Sequence, residues 1–432
     1  MSASGRPFYR GVAWLLLVTL FATACATRNV PPIGASGQPF RPESDERALW
    51  AKAEKEEQAL LKKAKVHSDP LLEDYLAQIG DRLMPANVRA AGGPGLKFGV
   101  ISDPTLNAFA MPTGHIYVHT GLLSKLDNEA QLATILGHEM THVTHRHALK
   151  FQRDAQTKQI LYTVAAIGLS IGVAAAAGSR AGSGDAVGAA VISQTANAVL
   201  GLGLQLAAIA SITGYGRDLE READAQGMDM LVKAGYDPRE APKVFQVLKG
   251  ESGDRGALET FFFGTHPRLQ ERIDSTRQLV QTRYATAAAE PTVTTDTADF
   301  GMRMRTVVRE NAALDIKAGR YELAERQLER VLTLTPRDPV AHLYYGDLYR
   351  LQAQRARKPD DRADKTRKAL ERYERAAELD PKYPDPFRQL GLLYYQQKEP
   401  ARAKVAFEKY LALKPDASDA RRIKEYVLEL DR

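Results

Sequence analysis

The chain has 432 residues, room for two or three domains, and its 44% hydrophobic and 26% charged content is that of a globular protein. The formal net charge of +6 is spread along the chain with no compact basic block, which argues against a nucleic-acid-binding protein. The single cysteine, Cys25, excludes an intrachain disulfide, so packing alone must hold the fold.

Residues 1–24 read as a signal peptide. Arg6 and Arg10 precede the apolar run Val12 to Ala22, which is too short to read first as a spanning helix. Ala22-Thr23-Ala24-Cys25 resembles the lipobox of bacterial lipoproteins, with Ala22 where Leu is usual. Lipidation of Cys25 is the expectation, and its rival is cleavage after Ala24 to give a soluble secreted protein. Ala26, not being Asp, favours the outer membrane by resemblance to lipoprotein sorting rules. Either way the mature chain lies outside the cytoplasm. Residues 25–42, with "NVPPIGASGQPFRP", have no periodic pattern and read as a tether.

From Glu43 to about Met84 the apolar spacing predicts two helices, the second opened by Asp69-Pro70. "LKFGVISD" and "HIYVHTGLL" alternate apolar residues and predict strands. Asp127 and Asn128 can cap a helix starting near Glu129. That helix carries His138-Glu139-Met140-Thr141-His142, an H-E-x-x-H pattern. Positions i and i+4 share one helix face, so both imidazoles can reach one zinc at about 2.0–2.1 Å, with Glu139 beside the reacting water as general base. His145 shares the face but lies about 10.5 Å along the axis from His138, too far for the same ion. His147 points off that face, and the pair His145 and His147 reads as exposed residues at the helix end. The third ligand must come from elsewhere.

Ile160 to Ala177 is 18 residues without charge, and Ala186 to Gly216 is again uncharged. The insert 160–216 reads as an apolar helical hairpin that packs over the catalytic domain or dips into a membrane surface rather than spanning it. "GRDLEREADAQGMDML" then places Glu220 and Asp224 one helical turn apart. Glu220 can bind zinc, and Asp224 can accept the other N–H of a ligand histidine, His138, fixing its tautomer. Glu222 is expected to face solvent. Residues 286–304 read as an interdomain linker.

The C-terminal part repeats. Pro381 and Pro415 are 34 residues apart, and Pro336 and Pro381 are 45 apart, an excess of 11. A 34-residue period of paired helices resembles the tetratricopeptide repeat. Gly346 and Gly391 on first helices, and Ala324, Ala369 and Ala403 on second ones, fit its small positions. The insert "ARKPDDRADKT" is expected between the helices of the middle repeat, and residues 416–432 as a capping helix.

H-E-x-x-H followed by E-x-x-A-D, and preceded by "NAFAMPTGHIYVHTGLL", resembles the gluzincin metallopeptidases of the CAAX prenyl protease and HtpX type. "GTHPRLQERI" resembles the downstream H-P-x-x-x-x-R motif of that family. The repeats and the leader make the chain similar to its periplasmic BepA-like branch. The resemblance implies one zinc per chain held by His138, His142 and Glu220, with Glu139 as general base. It also implies a proton-donor or orienting role for Asp224. His266 would stabilise the oxyanion or occupy the open metal position, and Arg272 would anchor the loop or the catalytic helices. The strand His115–Thr120 would be the edge on which an extended substrate aligns, with His115 and His119 as strand surface residues.

The expected fold is α+β and mostly helical. A zincin-like metalloprotease domain with a small sheet spans 43–285, and an all-α repeat solenoid spans 305–432. The expected function is a zinc endopeptidase of the bacterial envelope. It would sit in the periplasm, anchored to the outer membrane by lipid, degrading misfolded or misassembled envelope proteins. Its repeats would engage the outer-membrane assembly machinery. The reading from another class is a chaperone or scaffold that binds clients through the repeats while its zinc site is closed or weakly active.

Overall fold

The computed structural model describes residues 30–157, 215–252 and 269–431. The chain divides into two compact units, one of Met1–Ile101 and Thr105–Thr297, the other of Ser102–Pro104 and Ala298–Arg432.

The first unit opens with α1 (Ser44–Lys63) and α2 (Pro70–Leu83). Asp69 caps α2 by accepting the N–H groups of Leu71 and Leu72 at 3.1 and 3.2 Å, and Pro70 opens the helix where an N–H would have no partner. After the short α3 (Ala86–Ala91) come β1 (Lys97–Ile101), β2 (Ala108–Ala110) and β3 (His115–His119). The sheet order is β1-β3-β2, with β1 parallel and β2 antiparallel to β3. The expected edge strand at His115–Thr120 is therefore the central one: both its sides are paired, and the edge beside it is β2. The turn from β2 to β3 needs a left-handed residue, which Gly114 supplies at φ 98. Neither histidine of β3 is a plain surface residue: His119 is buried and bonds Thr105 Oγ1 at 2.8 Å, and His115 pairs with Glu57.

After the short α4 (Thr120–Leu123), α5 spans Glu129–Thr144, and Asn128 caps it through the N–H of Gln131 at 2.9 Å. Every residue of α5 is buried. A helix buried all round is a core helix, so its histidines and glutamate must find partners inside the protein. Helices α6 (Arg217–Lys233), α7 (Glu240–Ser252), α8 (Leu269–Gln281) and α9 (Ala285–Ala289) follow. Helices α5 and α6 cross glycine to glycine. A Cβ on Gly227 would lie 2.9 Å from the His138 nitrogen, and one on Gly137 would lie 3.1 Å from the Gly227 oxygen.

Two segments expected to be loose are packed. In the expected tether, Val30 and Ile33 are buried and the Ile33 N–H bonds the Thr144 carbonyl at 2.8 Å. In the expected linker 286–304, Thr294 bridges Tyr236, while Thr295 and Thr297 bond Asp237 and Glu129. These threonines satisfy buried carboxylates, and polar composition alone does not separate that role from a linker. The expected hairpin lies outside the described residues apart from Tyr215 and Gly216, as do Cys25 and His266. Among the described residues no helix is long and apolar enough to cross a membrane.

The second unit runs through α10 (Phe300–Lys317), α11 (Tyr321–Leu334), α12 (Pro339–Arg355), α13 (Pro359–Leu379), α14 (Pro384–Gln396), α15 (Pro400–Leu413) and α16 (Ala420–Leu430). Gly346 faces the Tyr373 ring and Gly391 faces Phe407, so each glycine admits an aromatic of the partner helix. The 11 extra residues form no loop. They lengthen α12 to 17 residues against 13 in α14, and α13 to 21 against 14 in α15.

Candidate metal centre

Helix α5 supplies His138 and His142, and α6 supplies Glu220 across the glycine crossing. The two Nε2 atoms are 3.1 Å apart. Glu220 Oε2 lies 3.4 Å from His138 Nε2, and Glu220 Oε1 lies 3.6 Å from His142 Nε2. Ligands about 2.0–2.2 Å from a tetrahedral zinc are about 3.3–3.5 Å apart, so this triangle fits one ion. Two imidazole lone pairs and a carboxylate converging in a buried site form a donor set that a divalent cation satisfies. Glu139 follows His138 on α5 and is fully buried.

Asp224, one turn beyond Glu220, places Oδ1 2.9 Å from His138 Nδ1. Arg272 on α8 donates to Asp224 through Nε and a terminal nitrogen at 2.9 and 2.6 Å. Its guanidinium lies 4.1 Å above the Phe245 ring of α7. Four helices thus meet at one buried ion-pair network. Burial and the Arg272 charge disfavour a proton on His138, but the bonds to Asp224 and Glu220 outweigh them and raise it to about 9 in the metal-free site. Burial pushes Asp224 up, yet Arg272 and His138 hold it below the usual carboxylate value. A cavity of about 120 Å³ opens beside Glu220 and Arg272, walled by Tyr215, Arg217, Arg221 and Glu271.

Residues 70–280, from α2 to the end of α8, match peptidase family M48 and enclose the whole cluster. The chain carries a peptidase family M48 domain. Residues 361–427, in the helical unit that follows the M48 domain, match the tetratricopeptide repeat. The chain is 28% identical over 271 residues to the putative beta-barrel assembly-enhancing protease of Vibrio cholerae, covering 63% of this chain and 51% of that one. It is 29% identical over 210 residues to the beta-barrel assembly-enhancing protease of Escherichia coli, covering 49% and 39%. It is 32% identical over 173 residues to the mitochondrial metalloendopeptidase OMA1 of Arabidopsis thaliana, covering 40% and 29%. The chain spans about half or less of these curated relatives.

Around the M48 donors lie residues that the spacing argument placed wrongly. On a straight helix His147 sits about 140° from His142. Here α5 stops at Thr144, Arg146 turns left-handed at φ 56, and residues 147–157 resume a helix. The turn swings His147 back, and its Nδ1 lies 2.8 Å from His142 Nδ1. His147 is fully buried, not exposed, and burial pushes it down to about 4, so it is neutral. Partly buried His145 bonds Glu222 Oε1 at 2.7 Å. Glu222 therefore does not simply face solvent: Lys150 Nζ lies 3.0 and 3.1 Å from its two oxygens. Its hydrogen bond to His145 and the nearby imidazole of His147 hold it well below the usual carboxylate range. Tyr215 stacks on His142 with centroids 4.5 Å apart. No sequence signal marks the turn, because a left-handed arginine has no composition cue.

Proposed function

We propose that this M48 domain is a zinc-dependent endopeptidase with one ion per chain, held by His138, His142 and Glu220. The spacing of the three donors, 3.1, 3.4 and 3.6 Å, carries the proposal. An ion held by these three residues would supply Lewis acidity to a water and to the scissile carbonyl. Glu139 takes the proton of the attacking water and delivers it to the leaving amine. Asp224 accepts the His138 Nδ1 proton, which turns the Nε2 lone pair into the site, and Arg272 locks Asp224 in that position. With both oxygens of Asp224 bonded by Arg272, the orienting role fits it better than proton donation. Substrate pairs with the outer edge of β2: β3 is paired on both sides, and β2 packs against α5.

His266 aids the oxyanion or closes the open ligand position. The chain acts in the bacterial periplasm, tethered by lipid at Cys25 to the outer membrane. It degrades misassembled envelope proteins and assists outer-membrane assembly through its repeats. The names of the relatives in Vibrio cholerae and Escherichia coli, both beta-barrel assembly-enhancing proteases, the leader read from residues 1–24 and the repeats support this setting.

The test is casein cleavage by the purified chain, before and after chelation, beside Glu139→Gln. The proposal expects cleavage that chelation abolishes, zinc restores and Glu139→Gln lacks. Undiminished cleavage by Glu139→Gln sinks it. Bound zinc and client capture without any cleavage would favour the scaffold reading.

A further inference from the structure

We infer that His147 is a positioning residue for His142: its Nδ1 accepts the Nδ1 proton of His142 and so presents the His142 Nε2 lone pair to the metal. The inference rests on the reading of His142 as a ligand.

A neutral imidazole carries one proton, so a histidine that ligates through Nε2 must carry it on Nδ1. That N–H needs an acceptor in a buried site. The atom facing it at 2.8 Å is His147 Nδ1, which can accept only when bare. The proton of His147 then sits on Nε2, and that atom faces Glu222 Oε2 at 3.4 Å. This contact is an ion-dipole approach, short of a well-formed hydrogen bond. The carboxylate is held in turn by His145 at 2.7 Å and by Lys150 at 3.0 Å. The order Glu222, His147, His142 mirrors the order Arg272, Asp224, His138 on the other ligand.

The local fold supports the same reading. Only the left-handed turn at Arg146 brings His147 onto His142. A non-glycine residue there is strained and persists only when its surroundings hold it. Arg146 is held by Glu46 at 2.6 Å and Glu43 at 2.9 Å, with the Phe40 ring 5.6 Å away. Tyr215 closes the other side, stacked on His142 and edge-on to His147 at 5.9 Å.

His145, His147 and Glu222 also offer three donor atoms within 4.8 Å of one another, the outline of a second cation site. The Lys150 ammonium already takes the place a cation would occupy, within 3.1 Å of both Glu222 oxygens. The positioning role is the reading compatible with that lysine.

The test compares zinc affinity by chelator competition for the purified full chain, His147→Leu and His147→Asn. His147→Leu is expected to weaken zinc binding about 10–100-fold. His147→Asn, whose amide oxygen stands close to the lost Nδ1, is expected to stay near wild type. Thermal melting of the zinc-free chains reports folding separately. Should His147→Leu not fold, nitrogen-15 histidine NMR of the zinc-loaded wild type decides. The expected result is a coupling across the hydrogen bond between the two Nδ1 atoms, with His147 protonated on Nε2. A folded His147→Leu that binds zinc like wild type overturns the inference alone, as does a His147 protonated on Nδ1. A second zinc lost with His147→Leu also overturns it. A wild-type chain that binds no zinc removes the ligand reading itself.

Discussion

Replacing Gly227 by alanine tests how the two halves of the site are held together. The new Cβ would lie 2.9 Å from the His138 nitrogen, 3.0 Å from the Gly137 carbonyl carbon and 3.2 Å from its oxygen. All three are backbone atoms of α5, so no side chain can rotate away. Relief requires α6 to retreat by about half an ångström, and overpacking of this kind costs roughly 1–3 kcal/mol. Glu220 lies seven residues earlier on the same rigid helix and moves with it. Its separations from His138 and His142, now 3.4 and 3.6 Å, lengthen beyond what one zinc bridges comfortably. Strain shared by the free and loaded forms lowers the melting temperature, by roughly 2–4 °C per kcal/mol for a unit of this size. Strain relieved only without metal appears as weaker binding, roughly 5- to 150-fold for 1–3 kcal/mol. Calorimetric melting with and without zinc, beside chelator competition, reads both. A variant with unchanged melting and unchanged zinc affinity would refute the claim that the glycine crossing sets the site.

Two other outcomes follow from buried charge. Arg272→Met removes the bidentate partner of the buried, ionised Asp224 and leaves it only His138 at 2.9 Å, which costs up to roughly 3–5 kcal/mol, read as a lower urea midpoint. Its zinc affinity falls as well, because nothing then fixes Asp224 in its place against His138; equal stability with and without Arg272 would deny the network a structural role. Glu129 is buried at the start of α5 and bonded by Tyr75, Tyr236, Thr297 and Arg82. Burial opposes its charge, but these bonds outweigh it and lower the carboxyl from its ordinary 4.5. A lowered folded value means stability is present in full above about 4.5 and lost as pH falls through the folded value. Urea unfolding between neutral pH and pH 3 should show that loss, and Glu129→Gln should flatten it.

Contacts local in sequence were legible, and contacts made by turns and distant partners were not. The i,i+4 spacing of His138 and His142, and of Glu220 and Asp224, follows from helix geometry alone, so half-sites could be read directly. The caps at Asp69 and Asn128 were legible for the same reason. Strand order is set by pairing over distance, which is why β3 looked like an edge and is the centre. Helix spacing puts His147 off the metal face only if the helix runs straight through Arg146, whose left-handed turn depends on Glu43 and Glu46 about 100 residues earlier. Thr294 to Thr297 resemble a linker until their partners, Tyr236, Asp237 and Glu129, are seen. The repeat period was legible, but the fate of its 11 extra residues was not, because a charged insert extends a helix as readily as it forms a loop.

The most direct measurement is zinc-edge X-ray absorption of the purified chain with metal stoichiometry, repeated for Glu220→Ala. The account predicts one zinc per chain with only nitrogen and oxygen neighbours, at about 2.0–2.2 Å. Two of them should be imidazoles, and the ion should be lost or bound far more weakly when Glu220 is removed. A chain that binds no zinc, or a zinc shell unchanged by Glu220→Ala, would contradict it.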